Sequence, residues 1–108
     1  MYDLTKREEL VLLSIMKLQE NAYGVTIKRN IRELTDKSIN YGSLCNTLYL
    51  LSRKGLIEST ESEPLAQRGG RRKVLYTVTN EGRFALKQVY EIQKMAWHGI
   101  TEILLGND

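Results

Sequence analysis

Two short segments with β-strand character, Leu56–Glu61 and Val74–Thr79, flank Gln67-Arg68-Gly69-Gly70-Arg71-Arg72-Lys73, a turn of two glycines crowded by four cations. Alternation of Val74, Tyr76 and Val78 places them on one face of the second strand. The pair therefore reads as a hairpin with its positive charge at the tip. Such a tip is built to meet phosphates, and arginine there can enter a narrow minor groove where negative potential is concentrated. The net charge of the 108 residues is only +3, so local density carries the argument: Arg68, Arg71, Arg72 and Lys73 fall within six positions.

Everything before the hairpin is patterned as helix. Thr5-Lys6-Arg7-Glu8 is a capping box with Thr5 as N-cap. The helix it opens runs to about Gln19 and carries Leu10, Val11, Leu12, Leu13, Ile15, Met16 and Leu18 around most of its circumference. A helix apolar nearly all round is buried from more than one side, and a chain this short calls for a partner subunit to do it. Gly24, Ile27, Ile31 and Leu34 give a second helix over Ala22–Leu34, with Lys28, Arg29 and Arg32 away from that stripe. A third, Gly42–Lys54, has Leu44, Leu48 and Leu51 as its core stripe and Gly55 at the left-handed C-cap position. After the hairpin, Thr79 caps a fourth helix that the pattern carries to about Leu105, with Glu81 in its first turn.

Three helices followed by a charged hairpin define the winged helix-turn-helix arrangement, the third helix reading the major groove and the hairpin serving as wing. The expected fold is mainly α with a two-stranded β-wing, divided into a DNA-binding domain over 1–79 and a dimerisation helix over 80–108.

The sequence resembles the PadR-like transcriptional regulators. The resemblance rests on Ala22-Tyr23-Gly24, on Gly42-Ser43-Leu44 followed by Thr47-Leu48-Tyr49, on Lys54-Gly55-Leu56-Ile57, on Arg68-Gly69-Gly70-Arg71-Arg72-Lys73, and on Tyr76-Thr77-Val78-Thr79-Asn80-Glu81-Gly82. In this order and spacing these pieces are specific and cover nearly the whole chain. One position departs: Cys45 stands where the family usually has tyrosine. A single helix after the wing is similar to the short subclass. The resemblance implies a homodimer held by the terminal and first helices, binding an inverted repeat in double-stranded DNA and usually repressing.

The face of the third helix opposite its core stripe presents Gly42, Ser43, Asn46, Tyr49, Leu50 and Arg53. Asn46 suits bidentate pairing with adenine, Leu50 a thymine methyl, and Arg53 a phosphate. Tyr23, Lys28 and Thr47 join Ser43, Asn46, Tyr49, Leu50, Arg53, Arg68, Arg71, Arg72 and Lys73 as candidate DNA contacts. An ordinary solvated face and a charged, soluble turn are the competing readings of helix and hairpin.

The last helix has two adjoining apolar rows, one of Ala85, Val89, Ile92, Ala96 and Ile103, the other of Leu86, Tyr90, Trp97, Ile100 and Leu104. That stripe is too wide for one seam. Leu10, Leu13, Val89, Ile92, Ala96, Ile100 and Ile103 are the candidate dimer contacts. Tyr90, Met95 and Trp97 offer flat, polarisable surfaces for a small planar aromatic effector, with plain packing as the competing account.

No catalytic or metal constellation stands out: His98 is the only histidine, and no nucleophile–base pair or phosphate-cradling glycine loop is present. The expectation is therefore a non-enzyme without cofactor. Cys45 is read as a small semi-buried filler, and the lone cysteine and the lack of a signal or spanning segment point to the cytoplasm. A winged-helix module that binds protein rather than DNA is the alternative, and four cations at a hairpin tip speak against it.

Overall fold

A computed structural model describes residues 3–62 and 73–106, and its elements follow the expected order: α1 Lys6–Leu18, α2 Gly24–Thr35, α3 Tyr41–Arg53, β1 Ile57–Glu61, β2 Val74–Val78, α4 Asn80–Trp97 and α5 Thr101–Leu105. Wing-tip residues Arg68, Arg71 and Arg72 lie outside the described residues.

Both halves of the capping box form. Thr5 Oγ1 accepts from the Glu8 amide at 3.1 Å, and the Thr5 amide donates to Glu8 Oε1 at 2.9 Å. The remaining oxygen, Oε2, accepts from Lys54 Nζ at 2.7 Å, which ties the start of α1 to the end of α3. Burial pushes the Glu8 carboxyl up, but the Lys54 hydrogen bond, the Thr5 amide and the Lys54 charge outweigh it, and the pKa ends below the ordinary carboxylate value. A lowered folded pKa means stability that is present above the ordinary carboxylate range and lost as pH falls through the folded value. Lys54→Met should cost about 2 kcal/mol at pH 7, because a buried carboxylate loses its charged partner. In thermal melts from pH 7 to pH 3 the gap to the parent protein should close as Glu8 takes up a proton; a gap independent of pH would show that the pair does not carry it.

The core gathers Val11, Leu12 and Ile15 of α1, Ile27 and Ile31 of α2, Leu44, Leu48 and Leu51 of α3, then Leu56, Ile57, Val78 and Ala85. Gly55 ends α3 at φ +76, with its amide on the Ser52 carbonyl and the Leu56 amide on the Leu51 carbonyl, both at 3.0 Å. This is the Schellman pattern that the C-cap expectation implies, and it aims the chain into β1. β1 and β2 pair antiparallel in the register Ile57↔Val78 to Glu61↔Val74. The pair extends through Ser62, whose amide donates to the Lys73 carbonyl at 2.8 Å. At the other edge of β2, the Tyr76 amide donates to the Ala22 carbonyl at 2.9 Å, so the hairpin leans on the turn before α2. Burial falls along the shared face of β2, from Val78 (buried) through Tyr76 (half-buried) to Val74 (exposed), as the wing leaves the core.

Several details differ from expectation. The terminal helix is broken: α4 stops at Trp97, Gly99 takes φ +81, and the Ile100 amide turns back to the Trp97 carbonyl at 2.8 Å before α5 begins. The 3.6-residue apolar rows continue across the break and conceal it in the sequence. α1 ends at Leu18, with Gln19 at φ 54 and a single 3₁₀ turn over Gln19–Asn21, and α2 begins only at Gly24. Leu34 is exposed, because the last turn of α2 runs past the core. Cys45 is exposed rather than semi-buried. Among the described residues no helix is long and apolar enough to cross a membrane.

Candidate nucleic-acid interface

α3 is the element around which the candidate contacts gather. Asn40 caps it, Oδ1 accepting from the amides of Gly42 (2.7 Å) and Ser43 (3.2 Å), which fixes the direction in which the first turn leaves the connection. Leu44, Leu48 and Leu51 bury one side. The opposite side offers Asn46, Tyr49, Leu50 and Arg53 to solvent, with Ser43 half-buried at the edge. Tyr49 and Leu50 are 57% and 42% exposed, so their apolar surface is open to a partner.

Arg53 is held from its own helix: Nη1 donates to Tyr49 Oη at 2.9 Å and the guanidinium lies over the Tyr49 ring, 5.8 Å from its centroid. The arrangement presents a preformed cation at the C-terminal end of the solvent-facing side of α3. Thr47 is different. It is buried, and its hydroxyl donates to the Ser43 carbonyl at 2.9 Å, so it lies on the core side of α3 instead of the solvent-facing side.

Tyr23 and Lys73, candidates from distant parts of the sequence, meet in space. Lys73 Nζ stands 4.2 Å from the centroid of the Tyr23 ring, joining the root of the wing to the start of α2 by a cation–π contact. Next to them, Thr26 Oγ1 accepts from the Tyr23 amide at 3.0 Å and donates to the Asn21 carbonyl at 2.6 Å, which fixes the turn that carries Tyr23. Gly24 follows, and the exposed Tyr41 hydroxyl lies where a Cβ on it would be. Burial pushes the Tyr76 phenol above its ordinary value, and the nearby Cys45 and Tyr41 add to the shift. Lys28 is half-buried on α2 and lines a cleft with Ser38 and Tyr41 next to the start of α3.

The candidate dimer contacts separate into two groups. Leu10, Leu13 and Val89 are half-buried within the single chain, while Ile92, Ala96, Ile100 and Ile103 are exposed. Phe84, Tyr90, Met95, Trp97, Leu104 and Leu105 are exposed too, so α4 and α5 carry a large apolar surface open to solvent. Of the effector candidates, Tyr90 and Trp97 share a helix row seven residues apart, whereas Met95 is about 140° round the helix from Tyr90. Lys94 Nζ lies 5.9 Å from the Tyr90 ring centroid. A shallow groove of about 370 Å³ on α4, lined by Phe84, Lys87, Gln88, Glu91 and Ile92, was not foreseen. Its signal, the i, i+4, i+8 spacing of Phe84, Gln88 and Ile92, was present in the sequence.

A family model described as the transcriptional regulator PadR-like family matches residues 12–88, which contain α2, α3, the wing and the first half of α4. Among solved structures, the chain is 31% identical to a PadR family transcription regulator from hypervirulent Clostridium difficile, covering 90% of this chain and 93% of that one with a TM-score of 0.64. It is 30% identical to H. salinarum RosR, covering 88% and 78% with a TM-score of 0.68. A transcriptional regulator from Clostridium thermocellum is similar at 25% identity, over 90% and 91% of the two chains, with a TM-score of 0.68. No curated protein matches the chain.

Proposed function

Since this chain belongs to the PadR-like family of non-enzymatic transcriptional regulators, we propose that it acts as a cytoplasmic homodimeric repressor on an inverted-repeat operator in double-stranded DNA. The observation that carries this reading is the solvent-facing side of α3, where Asn46, Tyr49, Leu50 and Arg53 stand free of the core. Ser43 and Asn46 read base edges, Leu50 meets a thymine methyl, and Arg53 and Lys73 contact backbone. Residues 1–79 serve as the DNA-binding unit and 80–108 as the dimerisation unit. The two α3 helices of the dimer enter successive major grooves about 34 Å apart. A small planar aromatic effector relieves repression by binding against the apolar face of α4, with Tyr90 and Trp97 as stacking surfaces and Met95 on the opposite side of the helix.

The wing supplies affinity that does not depend on sequence. Replacing Arg71 and Arg72 together by alanine should weaken binding to all duplexes and lower the slope of log K against log salt by about one unit for each arginine. A gel-shift titration at several salt concentrations reads both effects. An unchanged slope would remove the wing from the interface. Absence of any DNA affinity in the parent protein at low salt would instead favour a protein-binding winged helix.

A further inference from the structure

The N-terminal end of α3 is surrounded by positive charge that the wing does not supply. On one side of the connection between α2 and α3, a cleft of about 310 Å³ is lined by Val25, Lys28, Arg29, Arg32, Ser38 and Tyr41. On the other side a second cleft, about 420 Å³, includes Arg7 of α1, Lys37 and Ser38 of the connection, and Asn40 and Ser43 at the start of the reading helix. Ser38 belongs to both, so the two clefts adjoin. Five cations from α1, α2 and the connection thus converge on one helix end.

Among the described residues none of the five makes an ion pair. The Lys6–Glu9 and Lys54–Glu8 ion pairs involve none of them. Glu33 and Asp36, nearby in sequence, pair with none of these cations. Arg29 lies on the face of α2 opposite Ile27 and Ile31, with Val25 and Arg32 beside it and the half-buried Lys28 at its flank. The hydroxyls of Ser38 and Tyr41 add neutral donors to the first cleft.

We propose that this crescent, with Arg29 and Arg32 at its centre, binds the phosphates of the DNA strand bordering the major groove on the side away from the wing. It rests on the reading of α3 as the groove helix. A 13-residue helix is about 20 Å long, longer than the roughly 12 Å width of the groove, so its two ends reach the two rims. The C-terminal end passes through Gly55 into the wing; the N-terminal end carries the crescent. The regulator therefore grips both backbones, and the wing holds only one of them.

The test is fluorescence anisotropy of the full chain with two labelled duplexes, one of random sequence and one from the chain's own upstream region, across a series of NaCl concentrations. Removing one cation that touches a phosphate should lower the salt slope by about 0.9, equivalent to about 5-fold in affinity at 0.15 M salt. Arg29→Ala with Arg32→Ala should thus lower the slope by about two units for each subunit on DNA and weaken both duplexes by about 30-fold per subunit. Lys37→Ala should lower it by about one. The Arg29→Lys and Arg32→Lys pair should keep the parent slope, since the charge remains. Both arginines are exposed, and an unchanged thermal melt distinguishes weaker phosphate binding from a damaged fold. If the slope stays at the parent value while Arg71→Ala with Arg72→Ala lowers it, the crescent is only a solvated face and the inference fails alone. If the parent protein binds neither duplex, the regulator reading fails with it. A third arm titrates pyrophosphate: tight binding that the double alanine variant abolishes, with the DNA slope unchanged, would reassign the cleft to a small phosphorylated ligand and overturn the proposal.

Discussion

Gly82→Ala should lower the stability of the domain by about 3 kcal/mol and its melting temperature by about 15 °C, the largest effect expected of any single methyl group added to this chain. Gly82 is buried in the first turn of α4, where its amide donates to the Thr79 hydroxyl at 3.0 Å. A Cβ at this position meets the Leu56 carbonyl oxygen and comes within 2.6 Å of Val78 Cγ1. The backbone oxygen cannot move away cheaply. It already accepts from the Thr79 amide at 3.0 Å, and the Thr79 hydroxyl is committed to the Gly55 carbonyl at 2.7 Å. Displacing Leu56 therefore disturbs the end of α3, the root of the wing and the cap of α4 at once. The usual gain of about 1 kcal/mol when alanine replaces glycine in a helix is too small to compensate.

Gly24→Ala is the matched control. Its added methyl also meets an atom at close range, but that atom is the hydroxyl of Tyr41, the far end of a side chain 52% exposed to solvent. The ring can rotate away, so the cost should stay below about 1 kcal/mol. Chemical denaturation of the two variants in parallel decides the matter. Equal losses would mean that the two close approaches are equivalent and that the backbone of Leu56 is not the rigid element.

These glycines also show how far the sequence could be read. The order of elements, the Thr5–Glu8 capping box, the role of Gly55 and the strand pairing were all legible, since each depends on residues close together in the chain. What escaped were contacts between distant segments. Nothing near Glu8 announces Lys54, 46 positions away, and nothing near Tyr23 announces Lys73. Thr47 looked like a reading residue from its place in a motif, but its side chain is directed to the core and closes on the Ser43 carbonyl. The break at Gly99 was hidden for the opposite reason: a strong apolar period on both sides overrode the one residue that allows φ +81. Of the wing-tip cations, Arg68, Arg71 and Arg72 fall outside the described residues, so their part in the interface rests on the sequence pattern.

Ile92→Glu combined with Ile103→Glu should convert the protein to a monomer and weaken binding to an inverted-repeat duplex by about a thousand-fold, while leaving the fold of the single chain intact. The two isoleucines are 47% and 75% exposed, on α4 and α5, so burying a carboxylate there is a cost that only an assembled dimer would bear. Within one chain this surface stays open to solvent: Tyr90, Ile92, Trp97, Ile100, Ile103, Leu104 and Leu105 are each at least 40% exposed. An apolar expanse of that extent on a small domain marks an interface, and the turn at Gly99 sets α5 off from α4, so a partner would be met along two directions. The effect on DNA follows from geometry more than from contacts. In the proposed dimer each subunit presents one α3, and joining two of them makes the second half-site contact intramolecular, at an effective concentration in the millimolar range. Losing the dimer removes that multiplication but leaves each half-site contact as it was. Sedimentation velocity reads the assembly and anisotropy the affinity, on a full inverted repeat and on a half-site. The expected pattern is a large loss on the former and little change on the latter. Two outcomes would refute the dimer assignment: a variant that still sediments as a dimer, or a monomer that binds the full repeat as tightly as its parent.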